Sequence, residues 1–227
     1  MPVYYAKLTT LSREETRRYA GLKPKAVFPE TLLNQACTEG LIMARPQAIW
    51  KIYPYNPLTG VILSQPPRPL TGQKIIHHLR AAREIAVLAL TIGPELEQKV
   101  TEYFAGGSYT LGLLLDAAGT TAVEAAADQT GLIIQQAVAS QGLLPLPRYS
   151  PGYGDWPLTS QPDILDLADG QQINLTVTSS FILRPRKSIT AIIGLIPGHL
   201  TAEYQNIYEN PTCADCHQLQ CLARKER

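Results

Sequence analysis

The chain has 227 residues, of which 45% are hydrophobic and 17% are charged, and its 20 Lys and Arg against 19 Asp and Glu give a formal net charge of +1. A chain of this length buries roughly 70–75% of the surface that it exposes when unfolded, which allows one elaborated domain or two small ones. The composition excludes intrinsic disorder, and the near-zero net charge excludes a global field that would attract nucleic acid or an anionic membrane.

The first hundred residues alternate between helical and strand patterns. Ser12 and Glu15 form a capping box that predicts a short helix through about Tyr19. The following patterns predict, in chain order, a helix over 31–43, a strand over 49–55, a return strand over 61–63, a helix over 74–83, a strand over 85–92 and a helix from Pro94 to Gly106.

The second half begins with a long helix. Ser108 is predicted to cap a helical region that extends to about residue 139, and a Pro/Gly-rich loop over 141–163 follows it. A helical turn over 163–168 and strands over 176–183 and 189–196 are predicted next, with the basic turn 184–187 between the strands. These elements indicate an α+β fold with helices packed on a largely antiparallel sheet.

The apolar runs and the first residues indicate neither a membrane-spanning helix nor a signal peptide. The runs at 85–90 and 111–115 are shorter than the ~20 residues that a spanning helix needs. The residues Met1 to Tyr5 contain no basic region followed by an apolar core. We therefore expect a cytoplasmic protein that has neither a membrane nor a nucleic acid as its partner.

The long helix has an unusual charge distribution, because no Lys or Arg occurs between Lys99 and Arg148. Four polar residues spaced by four form one line along it: Asp116, Thr120, Glu124 and Asp128. One interpretation is a narrow solvated stripe. The other is that these carboxylates have a partner from outside the helix, either a distant Arg or the ammonium group of a ligand, because a buried carboxylate without a partner is costly.

The loop over 148–157 reads RYSPGYGDWP and is rich in aromatic residues, although only 7% of the chain is aromatic. It begins with Arg148, whose guanidinium suits a carboxylate through two parallel hydrogen bonds. Its glycines permit a close backbone approach to a ligand, and its tyrosines offer a flat face and a hydroxyl. The alternative is a rigid turn with a surface arginine.

These residues resemble a known family. The pattern Arg148-x-x-Pro151-Gly152-Tyr153, a preceding helix with Val123-Glu124-Ala125, and a following Ser180-Phe181 with a strand pair are similar to the activation domain of cobalamin-dependent methionine synthase. The match covers about residues 108–197, under half of the chain. The first hundred residues look more like small stand-alone relatives of that domain.

The resemblance implies a fold, a ligand and a role. The family fold is a twisted antiparallel sheet with helices, and S-adenosylmethionine binds in a shallow groove on it. The implied role is reductive reactivation, in which an electron and the methyl group of S-adenosylmethionine restore an oxidised corrinoid, within a methionine synthase (methyltransferase) system of methionine biosynthesis. The implied division is an N-terminal α+β part over 1–107, an S-adenosylmethionine-binding part over 108–210, expected to be continuous with the first, and a cysteine-rich tail over 211–227.

The resemblance also implies site residues. Arg148 would hold the carboxylate of the methionine moiety, Ser150 and Gly152 would supply backbone contacts, Tyr153 would lie against the ligand, and Glu124 would meet a polar or cationic part of it. Where the family has an aromatic residue on the last strand, this chain has Ile193. The family's acidic contact near the N-terminus has no counterpart here.

No catalytic residue is implied, because the reduced cobalt is the nucleophile. The chain also lacks the Asp-x-His-x-x-Gly pattern of a corrinoid-binding module. Cobalamin would therefore be supplied by a partner, a corrinoid-binding methyltransferase protein, and a separate protein would serve as the electron donor.

Three cysteines lie close together in the tail, with the spacing Cys213-x2-Cys216-x4-Cys221. Thiolates at such spacing can bind zinc or an iron–sulfur cluster, and the fourth ligand would be His217 or the distant Cys37. The alternative is a set of free thiols.

Two rival functions remain open. One is a metal-binding interaction or scaffold protein that retains the fold without binding S-adenosylmethionine. The other is a conventional small-molecule methyltransferase, against which the lack of a glycine-rich strand–helix turn of the Rossmann type argues.

Overall fold

The computed structural model describes residues 2–23 and 27–200. Six α-helices lie in this part of the chain: α1 (Arg13–Tyr19), α2 (Glu30–Met43), α3 (Gln73–His78), α4 (Glu95–Ala105), α5 (Tyr109–Ala139) and α6 (Gln161–Ala168). Eight strands lie in it as well: β1 (Gln47–Asn56), β2 (Val61–Ile62), β3 (Arg68–Pro69), β4 (Glu84–Thr91), β5 (Leu143–Pro145), β6 (Thr176–Val177), β7 (Leu183–Arg184) and β8 (Ser188–Pro197).

Six of these strands form one sheet in the order β3-β2-β1-β4-β8-β5, and every neighbouring pair is antiparallel. The α+β class with a largely antiparallel sheet, expected from the sequence, is thereby confirmed. The central pairings join β4 to β1 on one side and to β8 on the other. The sheet thus takes strands from both sides of residue 108.

Helices cover both faces of the sheet. Because side chains alternate along a strand, β4 sends Ala86, Leu88 and Leu90 into a core that α1, α2, α4 and α5 cover. The intervening residues of β4 enter a second core, which α3 and α6 cover. This arrangement explains why seven of the eight residues of β4 are buried and why its sequence is a continuous apolar run.

The helix α5 is the long helix expected from the sequence, and it is continuous through Gly119 and Gly131. Small residues allow its neighbours to approach closely: a Cβ atom on Gly40 of α2 would lie 3.0 Å from Ala118 Cβ. The helix α1 begins at the expected cap, where Ser12 Oγ accepts a hydrogen bond from the Glu15 amide. Within the described residues, no helix is both long enough and apolar enough to cross a membrane.

Three local expectations were wrong. The strand expected over 176–183 is two short strands, β6 and β7, which pair with each other because the chain turns between Thr178 and Phe181. The helix expected over 74–83 ends at His78. The segment expected to be a loop over 141–163 contains the edge strand β5 and the first turn of α6.

Candidate functional site

A β-bulge places Arg148 next to the long helix. The Leu146 amide donates to Gly194 O, and Tyr149 exchanges two backbone hydrogen bonds with Ile192. Pro147 and Arg148 therefore oppose the single residue Ile193 of β8. An extra residue of this kind changes the face to which the following side chains point.

The side chains confirm that consequence. Leu146 and Tyr149 both pack into the core beneath α3, although they are three positions apart and a regular strand would place them on opposite faces. Arg148 lies on the other face, where it meets α5. Its Nη2 atom donates to Glu124 Oε2 at 3.2 Å and to Asp128 Oδ1 at 2.7 Å. A cation from outside the helix thus supplies the partner that the isolated Glu124 required.

The three charged side chains differ in exposure. The Arg148 side chain is 23% exposed, Glu124 is 38% exposed and Asp128 is 74% exposed. The second terminal nitrogen of the guanidinium, Nη1, is buried and has no hydrogen-bond partner within the described residues. Together the three groups carry a formal charge of −1, and the N–H groups of Arg148 Nη1 have no acceptor among the described residues.

The other half of the polar line on α5 has its own cation. Lys187, which immediately precedes β8, places Nζ 2.9 Å from Asp116 Oδ2 and 2.9 Å from Thr120 Oγ1. The Lys187 side chain is only 13% exposed. The line of four polar residues is therefore a row of ion pairs with the edge of the sheet, rather than a stripe that only water covers.

Backbone hydrogen bonds fix the loop that follows Arg148. The Tyr153 amide donates to Ser150 O at 3.1 Å, the Trp156 amide to Tyr153 O at 3.0 Å and the Gly152 amide to Trp156 O at 2.7 Å. Gly152 has a φ of 94°, a backbone conformation that residues with a Cβ atom rarely adopt, so the turn requires glycine here. The Tyr153 side chain is half exposed, whereas Trp156 is fully buried.

The same loop is attached to α3. Asp155 accepts hydrogen bonds from the amides of Gln73 and Lys74 at 2.9 and 3.0 Å, and so caps the first turn of that helix. The Tyr149 ring contacts Tyr153 at 5.9 Å between centroids and Trp156 at 6.3 Å. These contacts fix the loop against α3.

The charge of Glu124 also reaches Tyr19, the last residue of α1. Burial raises the pKa of Tyr19, and the negative charge of Glu124 raises it further. The Arg18 guanidinium lies 4.0 Å from the centre of the Tyr19 ring. An aromatic face with a hydroxyl thus lies within electrostatic reach of the carboxylate.

The structure brings Glu124 and Arg148 into direct contact, and it places Ser150, Gly152 and Tyr153 in the hydrogen-bonded turn that continues from Arg148. Sequence reasoning did not assign Asp128 to the site, although its position in the polar line pointed to it. It also missed Tyr19, for which the sequence held no signal, because α1 and α5 meet only in the folded chain.

A cleft with a volume of about 600 Å³ lies between α4 and the turn at Arg184–Arg186. Its lining includes Glu97, which accepts hydrogen bonds from the backbone and the side chain of Arg186. Arg148 and Glu124 do not line it. The charged cluster at Arg148 therefore lies apart from this cleft.

The cysteines Cys213, Cys216 and Cys221 and the neighbouring His217 lie outside the described residues. Cys37 lies within them and is buried in the helix layer, where its Sγ atom is 3.6 Å from Thr16 Oγ1. In the part of the chain that the structure describes, no three His, Cys, Asp or Glu side chains are grouped so that they could hold a metal ion.

No family model matches this chain, and no curated protein matches its sequence. Among solved structures, it is similar to the MetH reactivation domain bound to AdoHcy, with a TM-score of 0.56 and 16% sequence identity over 86% of this chain and 78% of that chain. At this identity the similarity shows the fold: the chain shares the architecture of a methionine synthase reactivation domain.

Proposed function

We propose that this protein binds S-adenosylmethionine at the cluster of Arg148, Glu124 and Asp128 and supports the reductive reactivation of a corrinoid on a partner protein. The observation that carries the proposal is the pairing of Arg148 with the two carboxylates of α5 across the bulge. The MetH reactivation domain, which has the same fold, was solved with AdoHcy bound.

The charges of the cluster complement those of the ligand. The methionine moiety of S-adenosylmethionine carries a carboxylate, an ammonium group and a sulfonium, so its net charge is positive. Arg148 suits the carboxylate through a charge-assisted hydrogen bond, and Glu124 and Asp128 suit the cationic groups. A cluster with a formal charge of −1 therefore fits a ligand of opposite charge.

The unused donor of Arg148 supports the fit. Buried polar atoms in folded proteins almost always have a partner, and Arg148 Nη1 has none within the described residues. A ligand carboxylate would supply that acceptor once the guanidinium turns to expose Nη1. The ion pair with Asp128 would not prevent this, because pairs to carboxylates as exposed as Asp128 are worth about 0–1 kcal/mol and can be exchanged at little cost.

The protein's own contribution would be binding and orientation. S-adenosylmethionine supplies a methyl group on a sulfonium, and the rigid loop from Arg148 to Trp156 would hold the ligand in a fixed orientation at the surface. Positioning of this kind supplies several kcal/mol of a reaction barrier. We propose that cobalamin is supplied by a corrinoid-binding methyltransferase protein and the electron by a separate protein.

We propose in addition that the C-terminal tail binds a metal. The cysteines of the tail, Cys213, Cys216 and Cys221, would bind zinc or an iron–sulfur cluster, and a cluster would suit one-electron delivery to cobalt. Since the Cys37 thiol is buried against Thr16, His217 is the fourth ligand that we favour.

Isothermal titration calorimetry with S-adenosylmethionine and S-adenosylhomocysteine tests the function. We expect saturable binding to the wild type and a loss of at least about tenfold in affinity in Arg148→Ala, because the carboxylate loses its charged donor. The matched control is Arg68→Ala, since Arg68 also bridges two carboxylates of one helix, Asp163 and Asp166 of α6. Equal affinities in the two variants would refute the site.

A wild type that binds neither nucleoside at millimolar concentration would refute the function itself. The metal-binding scaffold would then be the function to pursue, because it requires the fold and the cysteine tail without the ligand.

A further inference from the structure

At the bulge, the carbonyl of Pro147 has no hydrogen-bond partner on the neighbouring strand β8. Leu146 and Tyr149 use their ladder hydrogen bonds on Gly194 and Ile192 of β8. Pro147 has no amide hydrogen, and its carbonyl has its hydrogen-bond partner on α3. Pro147 is partly buried, and a carbonyl that is shielded from water favours a donor elsewhere, because an unpaired polar group in the interior is costly.

His78, the last residue of α3, supplies that donor. Its Nε2 atom lies 3.0 Å from Pro147 O, and because a carbonyl oxygen only accepts, Nε2 carries the proton. The His78 ring also packs against the Tyr149 ring, with 5.4 Å between centroids. The histidine therefore contacts the residues on both sides of Arg148, one through a hydrogen bond and the other through its ring.

We propose that His78 is a positioning residue: through Pro147 O and the Tyr149 ring it holds the bulge in the conformation that directs Arg148 toward Glu124 and Asp128. The inference rests on the proposed function insofar as Arg148 binds S-adenosylmethionine. His78 itself lies on the α3 face of the sheet, whereas Arg148 meets α5 on the other face, so the effect is transmitted by the backbone of residues 147–149.

Two variants separate the hydrogen bond from the bulk of the side chain. His78→Gln keeps a nitrogen donor at about the same distance from the main chain. His78→Leu removes the donor and puts an apolar side chain of similar bulk in its place. His77→Leu is the matched control, because the neighbouring His77 is exposed and its ring contacts Arg80. Unfolding in urea verifies that each variant is folded under the binding conditions.

Two measurements decide the proposal. Calorimetry gives the affinity for S-adenosylmethionine, and crystal structures give the distance from Arg148 Nη2 to Glu124 Oε2, which is 3.2 Å in the wild type. We expect His78→Leu to bind about tenfold more weakly and to lose the Arg148–Glu124 contact. We expect His78→Gln and His77→Leu to retain both the affinity and the contact.

The outcomes distinguish this inference from the proposed function. If the wild type does not bind S-adenosylmethionine, the proposed function fails, and the crystal structures alone then decide the role of His78. An Arg148–Glu124 contact that persists in His78→Leu overturns the inference. A His78→Gln variant that loses the contact as fully as His78→Leu overturns it as well, because the retained donor would then be without effect.

Discussion

Arg148 and Ile193 lie on the same face of the sheet, although the residues that flank the bulge, Leu146 and Tyr149, both lie on the other face. The single extra residue in the edge strand produces this arrangement. It brings the guanidinium to α5 and leaves Ile193 beneath it, 1% exposed and packed in the helix-side core. The position where the resemblance expects an aromatic residue is therefore a core position in this chain.

An aromatic side chain at this position is expected to destabilise the protein. Ile193→Phe adds volume to a closely packed core, which costs about 1–3 kcal/mol of unfolding free energy. We expect no gain in affinity for S-adenosylmethionine, because the side chain points into the core. Urea unfolding and calorimetry measure the two effects, and Ile193→Val, with an expected cost of about 0.5–1.5 kcal/mol, is the matched control. Tighter binding in Ile193→Phe would contradict the assignment of Ile193 to the core.

Lys187, the second cation that pairs with the polar line of α5, is expected to contribute to stability and not to ligand binding. Lys187→Met keeps the apolar stem and removes the charge from Asp116 and Thr120, which we expect to lower the free energy of unfolding by about 1 kcal/mol. The effect is limited because Asp116 is 40% exposed and is hydrated when its partner is lost. Combination with Asp116→Asn in a double-mutant cycle measures the coupling. A large loss of ligand affinity in Lys187→Met would instead extend the binding site along the whole line.

The sequence predicted the parts of this protein that depend on local patterns. The cap at Ser12, the buried run of β4 and the length of α5 each follow from residue types at short spacing. The absence of cations between Lys99 and Arg148 left two interpretations open, a solvated stripe or a partner from outside the helix, which would be a distant Arg or the ammonium group of a ligand. In the structure the partner is a distant arginine, Arg148.

The features that the sequence did not predict depend on contacts between distant segments. The bulge at Pro147 allows both Leu146 and Tyr149 to pack in the core beneath α3. No local sequence pattern predicts that both side chains lie on this face. The short strands β6 and β7 are an exception: they were predicted as one strand, although the turn between them is local and is closed by a hydrogen bond from the Thr178 amide to Ile182 O. The contact of His78 with Pro147 joins residues 69 positions apart.

Gly152 is expected to be essential for the conformation of the loop. In Gly152→Ala the Cβ atom would lie 3.0 Å from Leu158 Cδ2, and the positive φ is strained for alanine. We expect a loss of about 1–2 kcal/mol of unfolding free energy and weaker binding of S-adenosylmethionine. Gly131→Ala is the matched control, because its Cβ would meet no atom within 4 Å, and alanine in a helix is favoured by about 0.5–1 kcal/mol. Equal stability changes in the two variants would refute this role of Gly152.

The stability of the protein is expected to decrease in mild acid through His78. Burial lowers the pKa of His78 from its ordinary value of 6.5, and this effect exceeds the opposing effect of the hydrogen bond to Pro147 O. Below pH 6.5 the unfolded chain therefore binds a proton that the folded protein takes up only at lower pH. The free energy of unfolding is then highest above pH 6.5 and falls as the pH decreases through the folded pKa.

Urea unfolding of the wild type and of His78→Gln between about pH 5 and 8 isolates this contribution, because the carboxylates titrate in both proteins. We expect the wild type to lose more stability than the variant as the pH falls below 6.5. Parallel pH profiles would show that His78 does not titrate differently in the two states.

Metal binding by the tail is expected to be independent of Cys37. Elemental analysis and absorption spectra of anaerobically purified protein should reveal zinc or an iron–sulfur cluster, and Cys213→Ser with Cys216→Ser should remove it. Cys37→Ala should leave the metal content unchanged, because the Cys37 thiol lies in the core against Thr16. Loss of the metal in Cys37→Ala, with the fold intact by circular dichroism, would identify Cys37 as the fourth ligand in place of His217. A wild type without metal would refute the site in the tail.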